Sequence, residues 1–257
     1  MPKKPFYHTG SFLTFLSFGF VLLLWEVLTR IFKIPKWLLP GPTLICRELW
    51  NSAGILWQNT LVTGSEIVQG FVLALIGGIV LGTIIAYSPF LEKTLYKLLA
   101  ATQAMPKAAL APLLVIWLGL GHPAKLAMVF LMCFFPVMVS MVTGLQSTSR
   151  ELLELAEVLG SNWLQSFLKI RFPAALPYLI SGVKVAASLS VVGAVISEFV
   201  NADKGLGYSL LVSAAQLNGP LTFASVVILA ALGVMLFSLV SLLEKLICPW
   251  ARSSLDK

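Results

Sequence analysis

Three features of this sequence predict an all-α, polytopic membrane protein. Of its 257 residues, 58% are hydrophobic and 11% charged, against roughly 45–50% and 25% in a soluble domain. The apolar residues gather into six long runs, and a bilayer is crossed by about 20 such residues in a helix. Basic residues fall mostly between the runs, as in loops beside anionic lipid.

These features also exclude functions. The formal net charge of +7 is spread along the chain, whereas a nucleic-acid surface needs one clustered basic face. Cys46, Cys133 and Cys248 are too far apart in sequence for a metal pattern or an obvious disulfide framework. Cys133 and Cys248 read as small buried hydrophobes. His8 and His122 have no partner at ligand spacing, so neither a metal nor a cofactor is expected. No G-x-x-x-x-G-K-[ST] phosphate loop occurs, so ATP hydrolysis is not expected of this chain. No Ser/His/Asp or paired-carboxylate set marks an intramembrane enzyme.

The first run, 11–31, follows Lys3 and Lys4 like a signal peptide. It is too long for a signal core and lacks an A-x-A site, which predicts a retained anchor helix. "PKWLLPGPT" (35–43) is rich in turn signals, and 43–58 reads as a short amphipathic helix. Trp37, Trp50 and Trp57 suit the membrane interface. The second run, 61–87, carries Gly70, Gly77, Gly78 and Gly82, small residues that let helices approach closely in lipid. The third, 94–119, is interrupted by Pro106 and Pro112, and the fourth, 124–145, contains Pro136. The fifth and sixth are 175–199 and 222–247. Lys107 and Lys184 apart, Lys and Arg divide ten to six in favour of the side holding both termini. That bias predicts both termini inside, and 146–173 with them.

The segment "ELLELAEVLGSNWLQSFLKIRFPAALP" (151–177) departs from the apolar grammar. Thr148 with Glu151 fits a capping box. Leu152, Leu155, Ala156 and Leu159 follow at i, i+3, i+4, i+7, an amphipathic stripe. Gly160 ends that helix by accepting a left-handed backbone. Asn162 with Gln165 fits a second capping box, Leu164, Phe167 and Leu168 continue the apolar face, and Pro173 and Pro177 mark re-entry into the membrane. A short helix, a tight turn and a second helix are therefore expected on the inner side. The stripe needs a cover: the rest of the chain, the lipid surface, or a soluble partner.

Glu154-Leu155-Ala156, then Gly160, then Ile170, Phe172 and Pro173 resemble the "EAA–G–I-x-L-P" loop of ABC-importer permeases. Leu155 stands for the first alanine and Phe172 for the leucine, and both stay apolar. "MPKAALAPLLVIWLGLG" (105–121), "FFPVMVS" (134–140), "PAALPYLISGVKVA" (173–186), "GAVISEFV" (193–200) and "GLGY" (205–208) look like the nitrate/sulfonate/taurine-type branch. The likeness runs from about 37 to 250 and includes permeases for pyrimidine thiamine precursors. It implies a type I importer permease in a bacterial inner membrane, with an anchor region 1–60, a core 61–250 holding a coupling loop 148–170, and a tail 251–257. It implies that Glu154, Leu155, Ala156, Leu159, Gly160, Ile170 and Pro173 dock an ATPase. The implied partners are two ATP-binding subunits, a second permease copy, an extracytoplasmic binding protein and the bilayer. The implied solute is a nitrate-, sulfonate- or taurine-like anion, or a pyrimidine.

Charges within the runs cost about 2.5–3.5 kcal/mol near mid-membrane and so are functional candidates. Lys107 lies between Pro106 and Pro112, whose freed carbonyls are tolerated beside a cavity. Met105, Pro106, Lys107, Ala108 and Pro112, together with Glu198 on the fifth span, are the expected translocation path. For Glu198 a second reading is the outer interface, and Lys184 reads as snorkelling to the inner interface. Glu26 and Glu66 read as interfacial. The rival class, a self-contained secondary transporter or channel, predicts mid-span carboxylates and inverted repeats.

Overall fold

A computed structural model describes residues 7–102 and 105–250. Over them the chain is helical, with no strand. Helix α1 (Tyr7–Ile31) leads through a turn-rich stretch to α2 (Pro42–Asn51). Glu26 of α1 accepts the Thr43 backbone N–H at 3.0 Å and its hydroxyl at 2.8 Å. One acidic side chain thus satisfies an orphan donor in the first turn of the next helix and complements its positive end.

Helix α3 (Ala53–Tyr87) has 35 residues, about 52 Å at 1.5 Å per residue and well beyond a ~30 Å hydrocarbon core. The third apolar run does not form one helix over 94–119. It folds as α4 (Pro89–Leu91), a π turn (Glu92–Tyr96), α5 (Lys97–Ala101), a 3-10 turn (Lys107–Leu110) and α6 (Ala111–Leu118). Pro106 is extended, at φ −70° and ψ 90°. Proline has no N–H to donate and biases the residue before it away from the helical region, so helical pairing stops here. Pro112 sits in the first turn of α6, where it is tolerated.

Helix α7 (His122–Gln146) is the central element, packed between α3 and the later helix α10. Its Met128, Val129, Cys133, Val137, Met138 and Met141 are buried. Close approach to α3 depends on glycine: a Cβ added at Gly78 would lie 2.8 Å from a Val137 methyl. In lipid, where apolar surface gains nothing by leaving solvent, such backbone-to-side-chain contact is what holds helices together.

Then come α8 (Arg150–Val158), α9 (Trp163–Ser166), a π turn (Phe167–Arg171) and α10 (Phe172–Val200). From Trp163 to Val200 the axis is unbroken over 38 residues, so Pro173 does not separate the polar helix from the span. A short apolar helix, α11 (Leu206–Ala215), which the run analysis passed over, precedes α12 (Gly219–Ile247). Among the described residues, four helices are long and apolar enough to cross a membrane: α3, α7, 163–200 and α12.

Candidate functional site

The helix–turn–helix forms as the spacing predicts, with one correction. The first cap is Ser149, whose hydroxyl accepts the Leu152 N–H at 3.4 Å. Thr148 instead bonds back to the Leu145 carbonyl at 3.3 Å. Its hydroxyl is engaged by the helix it leaves, so the first extended residue, Ser149 at ψ 145°, caps the next. At the far end, Gly160 has φ +75°. Its N–H bonds to the Glu157 carbonyl at 2.9 Å, and that of Ser161 to the Ala156 carbonyl at 3.0 Å. This pair of bonds is a Schellman motif. The second capping box is complete: Asn162 accepts the Gln165 N–H at 2.8 Å, and Gln165 accepts the Asn162 N–H at 3.1 Å.

The chain does not cover the stripe. Ala156 alone of the four is buried, while Leu152, Leu155 and Leu159 are 51%, 54% and 75% exposed. Val158 and Trp163 extend this ridge across the turn, both exposed. Glu154 is exposed, Ile170 is half-buried in the π turn, and Pro173 is half-buried in the first turn of α10. An aromatic collar ties the hairpin to the body. Tyr87, at the end of α3, meets Trp163 edge-on with centroids 5.3 Å apart, and Arg171 sits 4.9 Å over its ring. The C-terminal end of α3 and the start of the 163–200 helix, the two longest helical stretches, therefore meet at the hairpin's base.

The broken third run borders a cavity of about 320 Å³ against the middle of α7. Thr102, Met105 and Lys107 line one side, and Phe130, Phe134 and Phe135 the other. The Lys107 ammonium lies 5.5 Å over the Phe135 ring. Phe130 and Phe134 are stacked, centroids 5.1 Å apart and planes 24° from parallel. Pro106, Ala108 and Pro112 are exposed beside this cavity rather than lining it.

Glu198 is not brought to that cavity. It is 1% exposed, and its carboxylate accepts the Thr63 hydroxyl at 2.6 Å and the Gly207 N–H at 2.5 Å. It pins the start of α11 to α3 and α10. Thr63 in turn accepts the Leu206 N–H at 2.8 Å. Nearby, Lys125 of α7 and Glu66 of α3 form a buried ion pair at 2.9 Å, so Glu66 is paired inside the protein. Glu66 Oε2 is buried with no hydrogen-bond partner among the described residues. Lys184 of α10 pairs with Glu244 in the last turn of α12 at 2.5 Å. Sequence reasoning missed both pairs because their members lie about sixty positions apart. The available signal was charge balance, since each buried acid needs a cation in another run.

Among the thiols, Cys46 is exposed and Cys133 and Cys248 are buried. Burial, and then the negative charge of Glu244, pushes the Cys248 thiol above its usual pKa. It is correspondingly slow to react as thiolate.

Comparison with known proteins agrees with this architecture. The riboflavin transport system permease protein RibX of Chloroflexus aurantiacus is 37% identical over 91% of this chain and 88% of its own length. The formylaminopyrimidine transport permease protein ThiX of Halalkalibacterium halodurans is 33% identical over 92% of this chain and 95% of its own. A solved chain of the inward-facing MetNI methionine ABC transporter shares the fold, with TM-score 0.61 and 18% identity over 78% of this chain and 98% of that one. Residues 78–252 match the family model of the binding-protein-dependent transport system inner membrane component. The chain belongs to that family and is an ABC transporter permease subunit, a transport component rather than an enzyme.

Proposed function

We propose that this permease works in a bacterial inner membrane as half of a pore, with a hairpin at 148–170 that docks a cytoplasmic ATPase. The observation that carries this reading is the exposed ridge of Leu152, Leu155, Val158, Leu159 and Trp163. It stands on two fully capped helix ends at the meeting point of the overhanging helices α3 and 163–200. A rigid apolar ridge outside the bilayer fits insertion into a groove on a soluble partner. Helix α1, the broken third run and the four long helices together make six membrane elements, with both termini inside. Residues 1–60 then form the anchor region, 61–250 the core and 251–257 the tail.

ATP is hydrolysed by two copies of a separate subunit, one beneath each permease of a homodimer. An extracytoplasmic binding protein delivers the solute. ATP closes the ATPases, the docked hairpins move, and the bundle exchanges inward- and outward-open states. ATP achieves this only by binding one state better than the other. Met105, Pro106, Lys107, Ala108 and Pro112 border the path, while the packed position of Glu198 favours a structural role for it. The solute is small and polar, either an oxyanion of the nitrate or sulfonate kind or a pyrimidine-like heterocycle. The names of two relatives fall with the second.

Affinity purification from native membranes tests the assembly. An ATP-hydrolysing subunit is expected to accompany the chain and to be lost from Leu155→Glu/Leu159→Glu. A chain that purifies alone from gently solubilised membranes overturns it.

A further inference from the structure

The cavity beside Lys107 carries more information than its place on the path. We infer that it is a binding station for a flat, electron-rich nitrogen heterocycle, stacked on phenylalanine rings and read at its edge by Lys107. This inference rests on the path reading above.

Three phenylalanine rings line one wall of the cavity. Phe130 and Phe134, one helical turn apart on α7, are stacked on each other, and Phe135 follows in the same wall. Met105 faces them from the broken run. It is an unbranched, polarizable side chain that adapts to a ring edge. Aromatic faces attract the π-face of any heterocycle regardless of its substituents. The same faces carry negative quadrupole charge and disfavour the oxygens of a small anion.

Polar groups are few. The Thr102 hydroxyl is committed to the Leu99 carbonyl at 2.7 Å. Lys107 forms no ion pair among the described residues and rests over Phe135. One ammonium offers hydrogen bonds to a ring nitrogen or carbonyl, and it gives a purely apolar molecule no acceptor to match. A nitrate or sulfonate group calls for several convergent donors, and a single lysine among three phenylalanines does not supply them. The volume of about 320 Å³ lies at the small end of ligand-pocket sizes, which suits a compact ring system. The station lies halfway along α7, on the path proposed above.

Thiol protection tests this in membranes opened to both sides. The chain carries Met105→Cys, with Cys46, Cys133 and Cys248 replaced by alanine, and a water-soluble maleimide is the label. Cytosine and riboflavin are expected to slow labelling, while taurine and nitrate at equal concentration leave it unchanged. Phe134→Leu and Lys107→Met are each expected to raise the half-protecting concentration about tenfold, the scale of one lost stacking or charge-assisted contact. Phe130→Leu serves as a second ring variant if Phe134→Leu fails to insert. Protection by taurine or nitrate in place of the rings overturns the heterocycle, as does labelling that no probe slows, while both leave the path standing. Ring protection that is indifferent to all three substitutions also overturns the station. No labelling even without a probe overturns the path itself.

Discussion

Gly160 shows how much one residue carries. A Cβ there meets no atom within 4 Å, yet its φ of +75° is one that only glycine adopts freely. A β-branched substitution would therefore strain the backbone without any clash, by about 1–2 kcal/mol, and open the Schellman turn. Gly160→Val is expected to reach the membrane at normal levels and to lose ATP-driven uptake. Gly160→Asn, which tolerates the left-handed region, should retain most of it. Uptake normalised to membrane-inserted protein measures both.

The Glu66–Lys125 pair makes a second residue-scale case. Removing one partner leaves an uncompensated buried charge, costing about 3–5 kcal/mol, whereas removing both can be nearly neutral. Lys125→Met should therefore lower the melting temperature in detergent more than Glu66→Leu/Lys125→Met does. A double-variant loss equal to the sum of the Lys125→Met and Glu66→Leu losses would show that the two side chains do not interact. This pair was illegible in the sequence, where Glu66 looked like the polar end of a run. A charge's partner is fixed by helix packing, and periodicity within one helix does not reveal it.

The elements that were legible are those written locally. Asn162, Gln165 and Gly160 specify their turn through bonds to near neighbours, and the structure shows those bonds. Thr148 was misread because Ser149 offers the same hydroxyl one position on, and only backbone geometry separates them. The third run looked apolar enough to span, but Pro106 and a 3-10 turn divide it. Helix α11 was passed over because ten residues are too few for a span, although "GLGY" marks its start. In α3, glycine spacing announced close packing but not its partner, α7. Gly78→Val is expected to cost about 1–3 kcal/mol by overpacking against Val137. Gly54→Ala, in the same helix with open space around it, should be neutral or slightly stabilising. Thermal unfolding in detergent distinguishes them.

At the scale of the whole molecule, the apolar surface has two parts that ask for different partners. One is the exposed apolar surface of the long helices, including Val72, Val192 and Val234, which suits lipid. The other is the hairpin ridge of Leu152, Leu155, Val158, Leu159 and Trp163, carried on the short helices α8 and α9. Of the candidate site, the capped hairpin was readable from sequence because its bonds join near neighbours. The cavity was half-readable: Met105 and Lys107 were found, but Phe130, Phe134 and Phe135 looked like ordinary span residues until α7 was set against the broken run. With a homodimer, each solubilised complex should weigh as two permeases and two ATPases. A complex with one permease copy would contradict the pairing.

The central claim, that the ridge docks a cytoplasmic ATPase, is tested most directly by a cysteine at its exposed crest. Leu159→Cys, in a chain lacking Cys46, Cys133 and Cys248, is crosslinked in native membranes with a short bifunctional thiol reagent, and the adduct is identified by peptide mass. The account predicts an adduct with an ATP-binding subunit, and no reaction in intact cells with an impermeant reagent applied from outside. Labelling from outside, or crosslinks confined to the permease itself with ATPase present, would contradict it.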